Sequence, residues 1–396
     1  MINVAILGFG TVGSGVYEIL KKNPEAIAKK AGDILNIKYI LDIRSFDDHP
    51  ERELFTKNFD DIINDDTVDI IVEVMGGLEP AYTFTKSALL KGKTVVTSNK
   101  ELVATHGTEL IKIAKDMSVN YFFEASVGGG IPIIRPLNQC LAANEINVIN
   151  GILNGTTNFI LTKMFSEGTS FEKALAEAQA LGYAESNPAA DVEGHDACRK
   201  TAILASLAIG KFVDYNNIPT EGISGISTTD VVFADKKGYV IKLIGSAEVT
   251  EDGKVSAIVA PRLVSKENQL SDVNSVFNAI LLKGDSLGDV MFYGRGAGKL
   301  PTASAVVADI IDGAKHLHVN KWVIWSEGTP DIMADPGDAV YKYFVRTTDK
   351  SLSEKLPVAD TCGSLDDEVI FITEEMKEKD FTEIAGGKCS FIRILA

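Results

Sequence analysis

Between an apolar β-branched run at residues 2–7 and a helical pattern at residues 15–22, the chain reads Gly8-Phe9-Gly10-Thr11-Val12-Gly13, a GxGxxG turn that few folds accommodate. Glycine is needed there for three separate reasons. Gly8 permits the tight turn, Gly10 lets a pyrophosphate approach the backbone, and Gly13 lets the following helix lie close against the strand. Exposed N–H groups and the helix dipole then favour phosphate. Gly8, Phe9, Gly10, Thr11, Val12 and Gly13 are therefore read as a dinucleotide cradle.

The first 125 residues repeat this arrangement. Short apolar runs at 2–7, 37–43, 69–74, 94–97 and 119–123 alternate with helical stretches such as 81–91. Alternation of this kind implies right-handed βαβ units and a parallel sheet covered by helices on both faces. Ligands of such sheets bind beyond the carboxyl ends of the strands. After the second run stand Asp42 and Arg44: Asp42 suits an adenosine ribose diol and NAD, Arg44 suits a 2′-phosphate and NADP, and both readings stay open. After the third, Gly76 and Gly77 let the backbone close on a cofactor. After the fourth come Ser98, Asn99 and Lys100, with the lysine directed toward the cleft. After the fifth, Glu124 precedes Gly128-Gly129-Gly130, a segment suited to a hard cation held by carbonyl oxygens or to a hinge.

Past residue 130 the pattern changes. A strand is expected at 147–153, helices at 158–165, 171–181 and 196–209, and antiparallel strands at 254–260 and 289–293. In the third helix Asp196 and Lys200 stand one turn apart, in line with Ile203, Leu204 and Leu207. That places a carboxylate and an ammonium at the edge of a core-facing stripe, a pair fitted to proton transfer. The preceding loop adds Glu185, Asp191 and His195. From residue 341 the chain reads as β-α-β-α-β, with strands at 341–346, 368–373 and 390–395. The fold class expected is α/β: a Rossmann-type doubly wound parallel sheet with an α+β substrate and dimerisation domain and a small C-terminal α+β module. The boundaries are 1–126 for the dinucleotide-binding domain, completed by about 300–320, then 127–299 and 335–396.

Charge narrows the function. Lys and Arg total 39 against 55 Asp and Glu, a net charge of −16, which disfavours nucleic acid and anionic membranes as partners. No apolar run approaches the ~20 residues of a membrane span. Cys140, Cys198, Cys362 and Cys389 are scattered without a CxxC pair, as in a reduced cytoplasmic protein. The N-terminus lacks a basic region and reads as a strand, not a signal peptide. Asn154-Gly155-Thr156 has the form of a glycosylation sequon, which carries no meaning without a secretory route.

Taken together, the segments GFGTVG (8–13), EVMGG (73–77), SNK (98–100), EASVGGGIPII (124–134), NGILNGTTNFIL (150–161), LGYAE (181–185), DVEGHDACRK (191–200) and YGRGAGKLPTA (293–303) closely resemble homoserine dehydrogenases. With no aspartokinase segment before residue 1, the resemblance is to the monofunctional type. It implies NAD(P)-dependent interconversion of L-homoserine and L-aspartate semialdehyde, in the branch leading to threonine and methionine. Lys200 would be the acid–base residue, with Glu185 and Asp196 holding substrate and Gly182 and Asp191 nearby. Lys100 would sit between cofactor and substrate, and Gly296 in a turn closing on the cofactor. Glu124 and the carbonyls of Val127, Gly129 and Ile131 would form a structural sodium site. A homodimer or homotetramer is expected. The C-terminal module looks like a reduced ACT domain, short of the usual four strands and lacking the acidic-Pro-Gly turn at residues 347–351, and threonine binding is not expected of it. A phosphorylating semialdehyde dehydrogenase would need a nucleophilic cysteine, but Cys140 falls in an apolar helical stretch suited to packing. A dinucleotide-sensing regulator without turnover leaves the Asp196–Lys200 pair unexplained.

Overall fold

The computed structural model describes residues 1–329, 331–365 and 367–395. These divide into two units: residues 1–145, 202–214 and 294–328 form one, and residues 146–201, 215–293 and 329–395 the other. The first is built on β1 (Ile2–Leu7), β2 (Leu35–Leu41), β3 (Phe55–Thr56), β4 (Val68–Glu73), β5 (Thr94–Thr97) and β6 (Tyr121–Phe122). All pair in parallel, in the order β3-β2-β1-β4-β5-β6. Chain direction across the sheet reverses between β1 and β4, and that switch point opens the crevice where such sheets bind ligands. The β1 sequence INVAIL and the β4 sequence VDIIVE are nearly continuous apolar runs, because parallel strands are covered on both faces.

Helices Thr11–Lys22, Ala81–Leu90 and Lys100–Asp116 connect these strands, and helix Lys299–Lys315 returns from late in the chain. Val4, Ile6, Val16, Leu20, Ile40, Ile70 and Val72 bury together with Val306 and Ile310 of the return helix. A methyl group on Gly15 would lie 2.9 Å from the Ala303 Cβ, so that glycine is what lets the return helix pack against helix Thr11–Lys22.

The second unit contains β7 (Ile146–Ile152), β8 (Tyr239–Val249), β9 (Val255–Ser265), β10 (Phe277–Gly284), β11 (Gly288–Arg295, whose last two residues belong to the first unit), β12 (Val340–Tyr341), β13 (Tyr343–Thr347), β14 (Val358–Leu365), β15 (Glu368–Thr373), β16 (Met376–Lys377) and β17 (Ser390–Ile394). Among the described residues one sheet runs β11-β10-β7-β8-β9-β17-β13-β15-β14, while β12 pairs with β16. Helices Gly155–Glu167 and Thr228–Lys236 pack against β8.

Two expectations are corrected here. The C-terminal segment contributes four strands to the large sheet, not three, in the sequence β13, helix Leu352–Lys355, β14, β15, helix Glu378–Ala385, β17, with the short pair β12 and β16 beside them. The missed strand, β14, reads VADTCGSL and is largely exposed. It lies at the sheet edge and is held by backbone pairing to β15, so it carries no alternation of apolar residues to reveal it. Cys140 is exposed at the end of a short π-helical turn instead of packed. No described helix is long and apolar enough to cross a membrane.

Candidate active site

The first unit carries the glycine turn as a shaped surface. Gly8 has φ +100°, and a methyl there would meet the Val74 carbonyl oxygen at 3.0 Å. A methyl on Gly13 would fall 1.9 Å from the Gly8 carbonyl oxygen. Gly10 differs, with nothing within 4 Å of where its Cβ would be. The turn is therefore closed on its protein side and open at Gly10, where the N-terminus of helix Thr11–Lys22 is exposed. Gly76 and Gly77, in the loop after β4, both have positive φ and open space beside them.

At the end of β2, Asp42 is buried and fully committed. Its carboxylate accepts the Phe9 N–H at 2.8 Å, the Arg44 N–H at 3.0 Å, and two guanidinium N–H groups of Arg44 at 2.9 and 2.8 Å. Hydrogen bonding to Arg44 holds the Asp42 carboxyl well below the usual carboxylate range. Arg44 also donates to the Phe9 carbonyl at 3.0 Å and lies over the Phe46 ring. Its exposed guanidinium, not the aspartate, is the group presented beside the turn. Lys57, donating to the Ser45 hydroxyl at 2.9 Å, adds a second cation close by.

After β5, the Asn99 side chain caps helix Lys100–Asp116 by accepting the Leu102 N–H at 3.1 Å. This fixes Lys100 as the first helical residue, half-buried, with Ser98 just before the cap. The turn through Gly296 packs on the triple glycine: the Gly130 N–H donates to the Arg295 carbonyl at 3.1 Å. A methyl on Gly129 would fall 2.4 Å from the Gly296 oxygen.

Glu124 does not offer its side chain to a cation. One carboxylate oxygen accepts the Ile133 and Ile134 amides at 2.6 and 2.8 Å, the other the Arg135 amide at 2.8 Å. The buried carboxylate is thus spent on backbone donors. Val127, Gly129 and Ile131 follow in the same loop and are buried.

The second unit holds the acid–base candidates. Lys200 is 8% exposed, and its ammonium donates to the Asp196 carboxylate at 2.7 Å and to the Leu153 carbonyl at 2.8 Å. Among the described residues these take two of its three hydrogens. Asn154, just past the end of β7, donates to Asp191 at 2.7 Å and to the same Asp196 oxygen at 2.9 Å. Its own carbonyl oxygen accepts the Thr157 N–H at 2.9 Å, capping helix Gly155–Glu167. Burial raises the Asp191 carboxyl, opposed by its bond from Asn154. One asparagine therefore ties two carboxylates and, through Asp196, the lysine. Glu185 lies exposed on the loop after helix Phe171–Ala180, and Gly182 occupies its left-handed turn. His195 is exposed on the first turn of helix His195–Ile209, away from this buried cluster.

Asn154 carries no role in the sequence reading, where it stands only in a discounted sequon and within the segment at 150–161. A polar residue immediately after a strand and before a helix start was the signal available. The same position after β5 had marked Ser98 to Lys100.

The family described as Homoserine dehydrogenase matches residues 132–311, and its NAD binding domain matches residues 8–124. A homoserine dehydrogenase of Synechocystis is 46% identical over 325 residues, covering 78% of this chain and 73% of the relative. That of Lactococcus lactis is 40% identical over 364 residues, covering 88% and 84%. Among solved structures, a homoserine dehydrogenase from Thiobacillus denitrificans superposes with a TM-score of 0.89 at 36% identity, covering 100% of this chain and 98% of that one. A hyperthermophilic archaeal homoserine dehydrogenase in complex with NADPH gives a TM-score of 0.66 at 32% identity, covering 79% and 97%.

Proposed function

The chain belongs to the homoserine dehydrogenase family, and we propose that Lys200 is its acid–base residue in the NAD(P)-dependent interconversion of L-homoserine and L-aspartate semialdehyde. The observation that carries this role is a buried ammonium held from two sides by Asp196 and Leu153, with a third hydrogen left among the described contacts. When bound, the nicotinamide ring supplies the hydride that reaches the aldehyde carbon. The carbonyl oxygen then gains negative charge, and Lys200 gives it a proton, completing the alcohol. In the reverse direction Lys200 takes the hydroxyl proton. Asp196 keeps the lysine oriented and balances its charge. Asp191, Glu185 and the Gly182 turn hold the amino-acid end of the substrate, and Lys100 acts beside the nicotinamide.

The glycine turn, Gly76, Gly77, Ser98 and the Gly296 turn form the cofactor surface of this proposal. Its preference is NADPH, because Asp42 is spent on Phe9 and Arg44, leaving Arg44 to meet a 2′-phosphate. Arg44→Ala should lower kcat/KM for NADPH by about ten-fold, the worth of one charge-assisted contact, with little change for NADH. An equal loss with both cofactors would assign Arg44 to the fold of the turn instead. A sodium ion belongs to the proposal as a structural part on backbone carbonyls, whose hard, neutral oxygens suit it. The four cysteines form no disulfide with one another, which supports a reducing, cytoplasmic setting, and assembly as a homodimer or homotetramer is checked by light scattering in solution. The reaction itself is tested by following loss of NADPH absorbance with L-aspartate semialdehyde. Absence of oxidation with either NADPH or NADH would overturn the assignment.

A further inference from the structure

We propose that Glu73 is a positioning residue, whose buried carboxylate holds the loops after β4 and β5 in the one arrangement that receives the dinucleotide. Glu73 ends β4 and is 0% exposed, though it carries an ionisable group at the mouth of the sheet. One carboxylate oxygen accepts the Met75 N–H at 2.9 Å; the other accepts the Thr97 hydroxyl at 2.6 Å. Burial pushes the Glu73 carboxyl up, opposed first by the bond from Thr97 and then by the bond from Met75. Burying a carboxylate is costly unless donors meet it, and here one reaches each oxygen.

These donors come from two loops. Met75 and Gly76 belong to the turn whose positive-φ glycines face open space, and Thr97 and Asn99 to the segment that ends at Lys100. The bonds continue outward. The Thr97 hydroxyl oxygen accepts the Asn99 N–H at 2.9 Å, and the Asn99 amide donates to the Gly77 carbonyl at 2.6 Å. Asn99 also caps the helix that begins at Lys100. The glycine turn depends on the same arrangement, since Gly8 is set close against Val74 and Met75. The Glu73 carboxylate lies buried behind the surface offered to the cofactor and ties the loop of Gly76 and Gly77 to the segment that leads to Lys100.

Two isosteric changes probe the network, with NADPH affinity measured by isothermal titration of the full chain. Glu73→Gln places an amide where the carboxylate received its donors, and Thr97→Val removes the hydroxyl while keeping its shape. Each should weaken NADPH binding about ten-fold, the cost of one buried hydrogen bond lost, while Thr97→Ser stays within about two-fold of the parent. The KM for L-homoserine should not move. If Glu73→Gln does not fold, the Thr97 pair alone decides. Parental NADPH affinity in Thr97→Val, or a Thr97→Ser as impaired as Thr97→Val, would overturn the proposal, since the hydroxyl would then have no role. The inference rests on the dinucleotide lying on the glycine turn. A parent chain that binds no NADPH would overturn that underlying reading, and this one with it.

Discussion

Asn154 links the proposed acid–base cluster, because it donates to both Asp191 and Asp196 while capping its own helix. Asn154→Ala removes one donor from each carboxylate and the cap from the Thr157 N–H, and should cost about 1–3 kcal/mol of stability in urea denaturation. Turnover should fall too, because Asp196 loses the contact that orients it toward Lys200. A second prediction concerns charge. Burial raises the Asp191 carboxyl, so the folded protein binds more protons than the unfolded chain above the ordinary carboxylate value of about 4. The contribution of Asp191 to stability therefore falls as pH rises above that value. Asp191→Asn retains an acceptor for Asn154 and removes the charge. Its Tm, relative to the parent, should climb as pH rises above about 4, while substrate KM worsens. A Tm difference that ignores pH would contradict this account. The Asp196–Lys200 pair was legible from its one-turn spacing against an apolar stripe. Asn154 was not, because its partners lie 37 and 42 residues away. The commitment of Asp42 to Arg44 and Phe9 escaped for a related reason: the bond to Phe9 joins the ends of two different strands.

At the level of elements, the two inner glycines of the turn separate folding from binding. Gly13 has no room for a methyl, whereas Gly10 has open space and a negative φ that alanine adopts without strain. Gly13→Ala should lower Tm sharply or prevent folding. Gly10→Ala should keep the parental Tm, yet bind NADPH at least about ten-fold more weakly because the methyl stands where the pyrophosphate must approach. Calorimetry and titration of the two variants check this; equal loss of Tm in both would remove the distinction. β1 and β5 were legible to the residue, since a covered parallel strand shows itself as an unbroken apolar run. β14 was hidden because its place is decided by the free edge of β15, not by its own side chains.

For the molecule as a whole, alternation of strand and helix made the parallel sheet and its crevice legible before any coordinates. The joining of β17 to β9 was not, since it pairs residues such as Ile394 and Leu263 that are remote in sequence. Family membership assigns the reaction, and the proposal gives its proton to Lys200, held beside Asp196 and Asn154. The most direct test measures two properties of Lys200→Ala side by side: NADPH oxidation with L-aspartate semialdehyde, and the dissociation constant for NADPH. The account predicts turnover reduced by about a thousand-fold or more, in the range expected for loss of acid–base catalysis, with the dissociation constant unchanged. Turnover close to the parent's would contradict it.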